Sequence, residues 1–288
     1  MSTEIASTPR IGVALGGGCA RGLAHIPFIE ALDEMGLRPA RIAGTSIGSL
    51  IGVGWANGMT GAELRDHAYS VLGSIQLIAG TVWNAHRPSF QGLLKNGLSI
   101  QVDPEGIVDA FLPDDFPQDY AALKVPFTAV AADLNSWEEV DFTEGAIRPA
   151  IAASLAIPSL FKPVSHDGRL LVDGGVIAPV PLEQAAHDVD LLIGIDVNGS
   201  PGPWTEQEPN ALDVGFAASQ IMTQSLVRAA MRLAPPDVYV QPPIDDFGTM
   251  EFWRVREIVE LVEAGKDDFK RAVGERLERL ASSAAVSA

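Results

Sequence analysis

The sequence predicts an α/β fold, a mostly parallel central sheet with helices on both faces, and three observations carry that prediction. Ile11-Gly-Val-Ala-Leu15 is a short apolar run that stops at glycines and gives way to helical periodicity. The same strand, turn, helix unit comes again from Arg41. Farther along, Asp190 to Val197 carries Leu191, Leu192, Ile193 and Ile195, and is apolar enough to lie centrally in a covered sheet.

The elements follow in order. The polar, small residues 1–10 read as a flexible tail. After the first strand, Leu23, Ile26, Ile29, Leu32 and Met35 recur on one face and predict a helix from Arg21 to a stop at Gly36. A second strand, Arg41 to Gly44, leads into a second helix, Ile47 to Asn57. Between Gly73 and Pro126, apolar pieces alternate with Pro88, Gly92, Gly97, Pro104, Pro113 and Pro117, so that about 73–125 is either a cap over a site or a set of surface connections. Pro126 to Ala132 and Glu138 to Phe142 read as strands joined by the turn Asp133-Leu134-Asn135-Ser136, and Ala146 to Leu155 as a helix. Arg169 to Val172 and Asp237 to Gln241 are further strands. Two long helices complete the pattern. Ala211 to Leu233 carries Leu212, Phe216, Ile221, Leu226 and Val227; Glu251 to Leu280 carries Phe252, Val255, Val259, Val262, Phe269, Val273, Leu277 and Leu280. Both apolar faces are expected to be core. Residues 281–288 read as a second flexible tail, leaving one domain over 11–280.

Composition narrows the function. With 288 residues and 47% hydrophobic content, the chain buries a large core. A net charge of −17 argues against a nucleic-acid partner and against anionic membrane surfaces, but leaves peripheral contact with neutral or zwitterionic lipid open. The single cysteine, Cys19, forms no intramolecular disulfide, the first residues lack a secretion signal, and no apolar run spans a bilayer, so a cytoplasmic location is expected. The five histidines and one cysteine show no metal-ligand spacing, and no cofactor is expected. Oligomeric state leaves no signature.

Three local patterns carry chemistry. Gly44-Thr45-Ser46-Ile47-Gly48 is a G-x-S-x-G turn between strand and helix, a place where a serine hydroxyl projects away from the sheet and the helix dipole favours a developing oxyanion. Ser46 read as a simple helix N-cap explains the same serine. Gly16-Gly17-Gly18-Cys19-Ala20-Arg21-Gly22 lies on the preceding strand-to-helix turn and offers backbone N–H groups to an anion. A dinucleotide reading fits it poorly, because the third glycine of G-x-G-x-x-G would fall on Arg21 or Cys19 and the second strand ends without an acidic residue. Asp173-Gly174-Gly175, after Leu170-Leu171-Val172, holds an aspartate at a strand end, as a catalytic carboxylate or as an ordinary turn.

Taken together and in this order, the patterns resemble the patatin-like phospholipase family, and within it the small single-domain bacterial members. The resemblance runs from about Ile11 to Val197 and takes in Gly22-Leu23-Ala24-His25 and Ser154-Leu155-Ala156-Ile157-Pro158. It implies a three-layer sandwich and a serine esterase acting on (lyso)phospholipids or simple acyl esters through an acyl-enzyme. By the same resemblance Ser46 is the nucleophile, Asp173 the other half of a Ser/Asp dyad, and Gly17, Gly18 and Cys19 the oxyanion loop. Gly16, Arg21, Gly22, Gly44, Gly48, Gly174 and Gly175 are the supporting motif residues. Cys19 departs from the family, which usually has a third glycine there; its Cβ is expected to alter the loop or narrow the acyl entrance. Two alternatives stand beside this reading: a Ser46/Asp173/His187 triad, against which His187 lies in a polar, helical stretch, and a non-catalytic lipid binder on the same fold.

Overall fold

The structure is a computed structural model and describes residues 9–72, 102–200 and 211–287. Among the described residues eight strands, β1 (Ile11–Leu15), β2 (Arg41–Thr45), β3 (Phe127–Asp133), β4 (Glu139–Phe142), β5 (Val164–His166), β6 (Arg169–Asp173), β7 (Leu191–Ile195) and β8 (Val238–Val240), make one sheet. Its hydrogen-bonded neighbours run β5-β6-β3-β2-β1-β7-β8, with β4 also on β3. The pairings β3-β2, β2-β1, β1-β7 and β7-β8 are parallel, whereas β4, β6 and β5 join antiparallel. The mostly parallel sheet read from the sequence is therefore the one that forms.

The register along β3 does the positioning. β2 pairs with 127–130 of β3 and ends with Thr45 opposite Val130, while β6 pairs with 131–133 and ends with Asp173 opposite Ala131. β4 spans 129–132, overlapping both, and must therefore occupy the other edge. Thus β2 and β6 share one edge of β3 end to end, pointing at each other, and their last residues meet.

The helices are α1 (His25–Glu34), α2 (Ile47–Ala56), α3 (61–72), α4 (Pro104–Phe111), α5 (Ile147–Leu155), α6 (Leu182–Ala185), α7 (Ala211–Leu233), α8 (Val255–Glu263) and α9 (Lys266–Ser287). One sheet face, with Val13, Leu15, Ile42 and Ile193, joins Ile29 of α1, Ile51 of α2, Ile151 of α5, Ile258 of α8 and Val273 of α9 in a single core. The other face is thinner: Ala14, Ala43 and Leu192 meet Leu182 and Ala185 of α6, Val227 of α7, and Ala234 just after it. Small residues allow that closeness, since a Cβ on Gly12 would sit 2.1 Å from the Ala185 carbonyl oxygen.

Several expectations change in the tertiary structure. The first helix starts at His25, because Cys19–Ala24 winds into a tighter 3-10 turn in which the Arg21 N–H closes on the Gly18 carbonyl. The single helix expected from Glu251 to Leu280 divides at Ala264-Gly265, where Gly265 N–H bonds back to the Val262 carbonyl and α8 and α9 set off separately. Helix continues over 281–287, which the sequence reading gives to a tail. Most of all, the apolar face of α7 is not core throughout: Val227 is buried, but Val214, Ile221, Met222 and Leu233 are exposed. Periodicity locates an apolar stripe without saying what lies against it. Strand β5 and helix α3 escape the sequence reading, although Asp167-Gly168 is a hairpin turn signal and Leu64, Ala68 and Leu72 share one helical face. Of the expected cap, 73–101 lies outside the described residues, as does most of the amino-terminal tail.

Gly12→Ala drives a methyl group into backbone and is expected to cost about 1–3 kcal/mol, lowering the melting temperature by roughly 2–4 °C per kcal/mol. Gly106→Ala in α4, where a Cβ meets nothing within 4 Å, serves as the control and leaves the melt unchanged or raises it.

Candidate active site

Ser46 stands where β2 hands over to α2, in a bend that only glycine neighbours permit. A Cβ on Gly44 would lie 2.5 Å from the Gly48 carbonyl oxygen, and one on Gly48 would lie 2.2 Å from that of Leu15. The backbone of Ser46 has φ 55 and ψ −127, a sparsely populated conformation for a residue with a side chain. That bend is held from both sides: Ser46 N–H donates to Ser154 Oγ at 3.0 Å, and the Ser46 carbonyl accepts from Ser49 Oγ at 2.6 Å. The Ser46 hydroxyl makes no capping bond to α2, so the N-cap explanation for this serine fails.

Asp173 ends β6 and is 5% exposed. Its Oδ1 accepts the Gly175 N–H at 2.6 Å, and its own N–H donates to the Ala156 carbonyl at 2.9 Å. Burial pushes its carboxyl up to about 6, against the opposing pull of hydrogen bonds from the Ser46 hydroxyl and the Gly175 N–H. Gly174 is required beside it, since a Cβ there would lie 2.4 Å from the Val130 carbonyl oxygen. The segment Ser154 to Pro158 thus braces both residues at once, Ser154 holding the serine turn and Ala156 the aspartate. Sequence reasoning quoted the segment and missed that role, for which no local signal exists.

The glycine loop lies over Ser46: a Cβ on Gly17 would be 3.3 Å from Ser46 Cβ. Its first peptides are pinned. Gly16 N–H donates to the Ile195 carbonyl and Gly17 N–H to the Pro179 carbonyl, both at 2.9 Å, while His25 Nε2 donates to the Gly16 carbonyl at 2.8 Å. Gly17, expected to be an oxyanion donor, therefore has its N–H committed elsewhere. No acceptor among the described residues takes the Gly18 or Cys19 N–H. Gly18 must remain glycine, because a Cβ would lie 2.3 Å from the Val197 carbonyl oxygen, and Gly22 likewise abuts Ile47.

Arg21 turns away from Ser46 and donates to the carbonyls of Phe247, Asn198 and Asp245 at 2.7, 3.1 and 3.2 Å, tying the loop to two neighbouring segments. Cys19 adopts φ 52, and burial, with the nearby Asp173 charge second, pushes its thiol up to about 12, so it stays neutral. Burial also drives His25 down to about 4, so its imidazole is neutral at ordinary pH.

A cavity of about 260 Å³ opens beside the serine, lined by Cys19, Ser46, Leu50, Phe111, Leu155 and Met250 among others. A larger polar cleft of about 460 Å³ is bordered by Glu30, Arg65, Glu263 and Lys266, whose charges pair with one another. His187 is exposed and faces Asp141. Its neighbour Asp188 pairs with Arg10 ahead of β1, which puts this histidine at the amino edge of the sheet, opposite Ser46. Among the described residues no hydrogen bond or ion pair links His187 to Ser46 or Asp173. His67 contacts the Phe111 carbonyl and His166 pairs with Asp167; His86 lies outside the described residues. Among the described residues no cluster of His, Cys, Asp and Glu could hold a metal.

Residues 13–186 match the patatin-like phospholipase family. An uncharacterized NTE family protein of Mycobacterium tuberculosis is 38% identical over 208 residues, covering 71% of this chain and 54% of the relative. Lysophospholipase NTE1 of Pyricularia oryzae is 27% identical, covering 87% of this chain and 18% of that protein. The chain thus spans about half, or less, of the length of these relatives. Among solved structures, VipD from Legionella pneumophila aligns over 93% of this chain and 67% of its own, at 14% identity and a TM-score of 0.44.

The raised carboxyl makes a stability prediction. Folding favours the protonated form of Asp173, so its ionisation is neutral to stability below pH about 4 and carries its full penalty, up to about 3 kcal/mol, above about 6. Asp173→Asn is therefore expected to stabilise the fold relative to wild type by an amount that grows between those pH values. Urea unfolding at a series of pH values measures it; a gain that does not change with pH contradicts the assignment.

Proposed function

The chain belongs to the patatin-like phospholipase family, and on that premise we propose that it hydrolyses carboxylic esters of lipids, (lyso)phospholipids or simple acyl esters, through a Ser46/Asp173 dyad. The observation that carries the reading is the buried meeting of one hydroxyl and one carboxylate at facing strand ends, beside two backbone N–H groups that have no acceptor among the described residues.

In this reading Asp173 takes the Ser46 proton as Oγ bonds to the ester carbonyl carbon. The carbonyl oxygen becomes an oxyanion and is received by the Gly18 and Cys19 N–H groups; one such donor is worth roughly 10²- to 10³-fold in rate. Collapse breaks the bond to the alcohol, which leaves with the proton held by Asp173. A water then gives its proton to Asp173 and attacks the acyl-enzyme, releasing the acid and restoring Ser46. A carboxylate with a pKa near 6 is a better base than an ordinary one, and burial supplies the difference. The apolar cavity suits an acyl chain. Arg21 and His25 keep the loop in place without touching substrate.

Ser46→Ala is expected to abolish hydrolysis of a p-nitrophenyl ester, and Asp173→Asn to lower kcat by roughly 10²- to 10⁴-fold, while His187→Ala keeps full activity. Because the base must be ionised, kcat/KM rises with pH to a plateau with its midpoint near 6. A fluorophosphonate probe labels Ser46 in the wild type and not in Ser46→Ala. Folded wild-type protein that resists the probe, or Asp173→Asn at the wild-type rate, would overturn the reading in favour of a non-catalytic binder or another base.

A further inference from the structure

Helix α7 is longer than the sheet it covers. Its 23 residues extend about 34 Å, while a five-residue strand such as β7 extends about 17 Å. The helix runs against β7: just beyond its carboxyl end, Asp237 N–H donates to the Leu192 carbonyl near the start of β7. Gln224 Nε2 donates to the Gly199 carbonyl at 2.8 Å, past the end of β7. At that level the 197–199 segment backs the glycine loop, with the Val197 carbonyl against Gly18 and the Asn198 carbonyl on Arg21. Residues 211–223, about 20 Å of helix, consequently stand beyond the sheet edge that carries Ser46.

This projecting half has an unusual surface. From Val214 to Val227 fourteen consecutive residues include no charged side chain and no histidine, in a chain that is 20% charged. Val214, Ala218, Ile221 and Met222 recur at helical spacing, and all four are exposed, Ile221 at 67% and Met222 at 60%. Their polar neighbours, Ser219, Gln220, Thr223 and Gln224, are neutral. At the same edge the cavity beside Ser46 has exposed apolar residues in its lining, Val102 and Met250.

We propose that the 214–227 face of α7 docks this edge of the molecule onto a zwitterionic phospholipid surface, held by apolar burial without electrostatic attraction. The proposal rests on the lipid-ester reading above and names the partner that brings substrate to that site. A helix with an apolar stripe and an uncharged polar side lies in the interfacial plane, sensitive to how loosely the lipids pack. The net charge of −17 sets the molecule against anionic lipid, and the 214–227 stretch offers no cation to offset it, the helix's two arginines, Arg228 and Arg232, lying beyond it. No described helix is long and apolar enough to cross a membrane. A second copy is the poorer occupant, since four side chains offer a few hundred Å², short of the roughly 800 Å² per partner of a stable interface.

The test uses the full chain carrying Ser46→Ala, so that lipid is bound without turnover, sedimented with phosphatidylcholine vesicles. Binding is expected to small sonicated vesicles more than to large extruded ones, and to survive ~1 M salt, where the Debye length falls to about 3 Å. Ile221→Glu with Met222→Glu is expected to weaken partitioning at least tenfold, and Val214→Glu, an independent exposed site, to weaken it in the same direction. Circular dichroism melts check that the variants fold. Absence of binding, binding unaffected by the substitutions, or binding only to anionic vesicles and lost in salt would overturn the proposal. So would light scattering that shows a dimer which Ile221→Glu splits, because the face would then belong to a second copy. Hydrolysis of soluble p-nitrophenyl butyrate by the Ser46-containing chain is measured separately: its absence removes the esterase reading and leaves the sedimentation result standing, whereas loss of sedimentation alone removes only the docking surface.

Discussion

The shared edge of β3 is the constraint on which the rest of the site depends. A strand offers one row of partners along each edge, and here that row is divided between a parallel strand rising to Thr45 and an antiparallel strand descending to Asp173. Because the two strands end on adjacent residues of β3, the hydroxyl after one and the carboxylate of the other meet with no flexible element between them. The ladder hydrogen bonds that stabilise the sheet also set the distance between the two groups, which is the preorganisation a catalytic pair requires.

Close backbone approach is the second requirement, and it accounts for the glycines better than conformational freedom does. Gly18 against Val197, Gly48 against Leu15 and Gly174 against Val130 each have a carbonyl oxygen within 2.4 Å of where a Cβ would stand. Cys19 and Ser46, which do carry side chains at positive φ, are held there by neighbours fixed from several directions. The rigidity is local: the carbonyl of Gly16 and the N–H of Gly17 are both engaged, whereas the next two N–H groups, of Gly18 and Cys19, have no acceptor among the described residues.

The two sheet faces differ in kind. One is packed by long helices into a continuous apolar core, and the other is covered by a four-residue helix and by the carboxyl half of α7. The thin side leaves much of the uncharged 214–227 stretch of α7 exposed, beside the edge where Ser46 opens into an apolar cavity. On the proposed lipid-ester reading, the apolar cavity inside the molecule and the apolar helix face outside it answer the same physical problem, moving a lipid out of its own aggregate without meeting water on the way.

By itself the sequence determined the alternation of strands and helices, the two turns that carry Ser46 and the glycine loop, and the candidacy of Asp173. Those features are written in short-range terms: apolar runs of strand length, glycines where the chain must bend, and helical spacing after each bend. Even the hairpin at Asp167-Gly168 and the helix over 61–72 were there to be read. Only the tertiary structure decided that Gly17 spends its N–H on Pro179, that Ser154 and Ala156 brace Ser46 and Asp173, that His187 lies at the far edge, and that much of the α7 stripe faces outward. Each of these depends on a partner remote in the chain. Local pattern fixes what a residue can do, and the packing of distant segments fixes what it is left free to do.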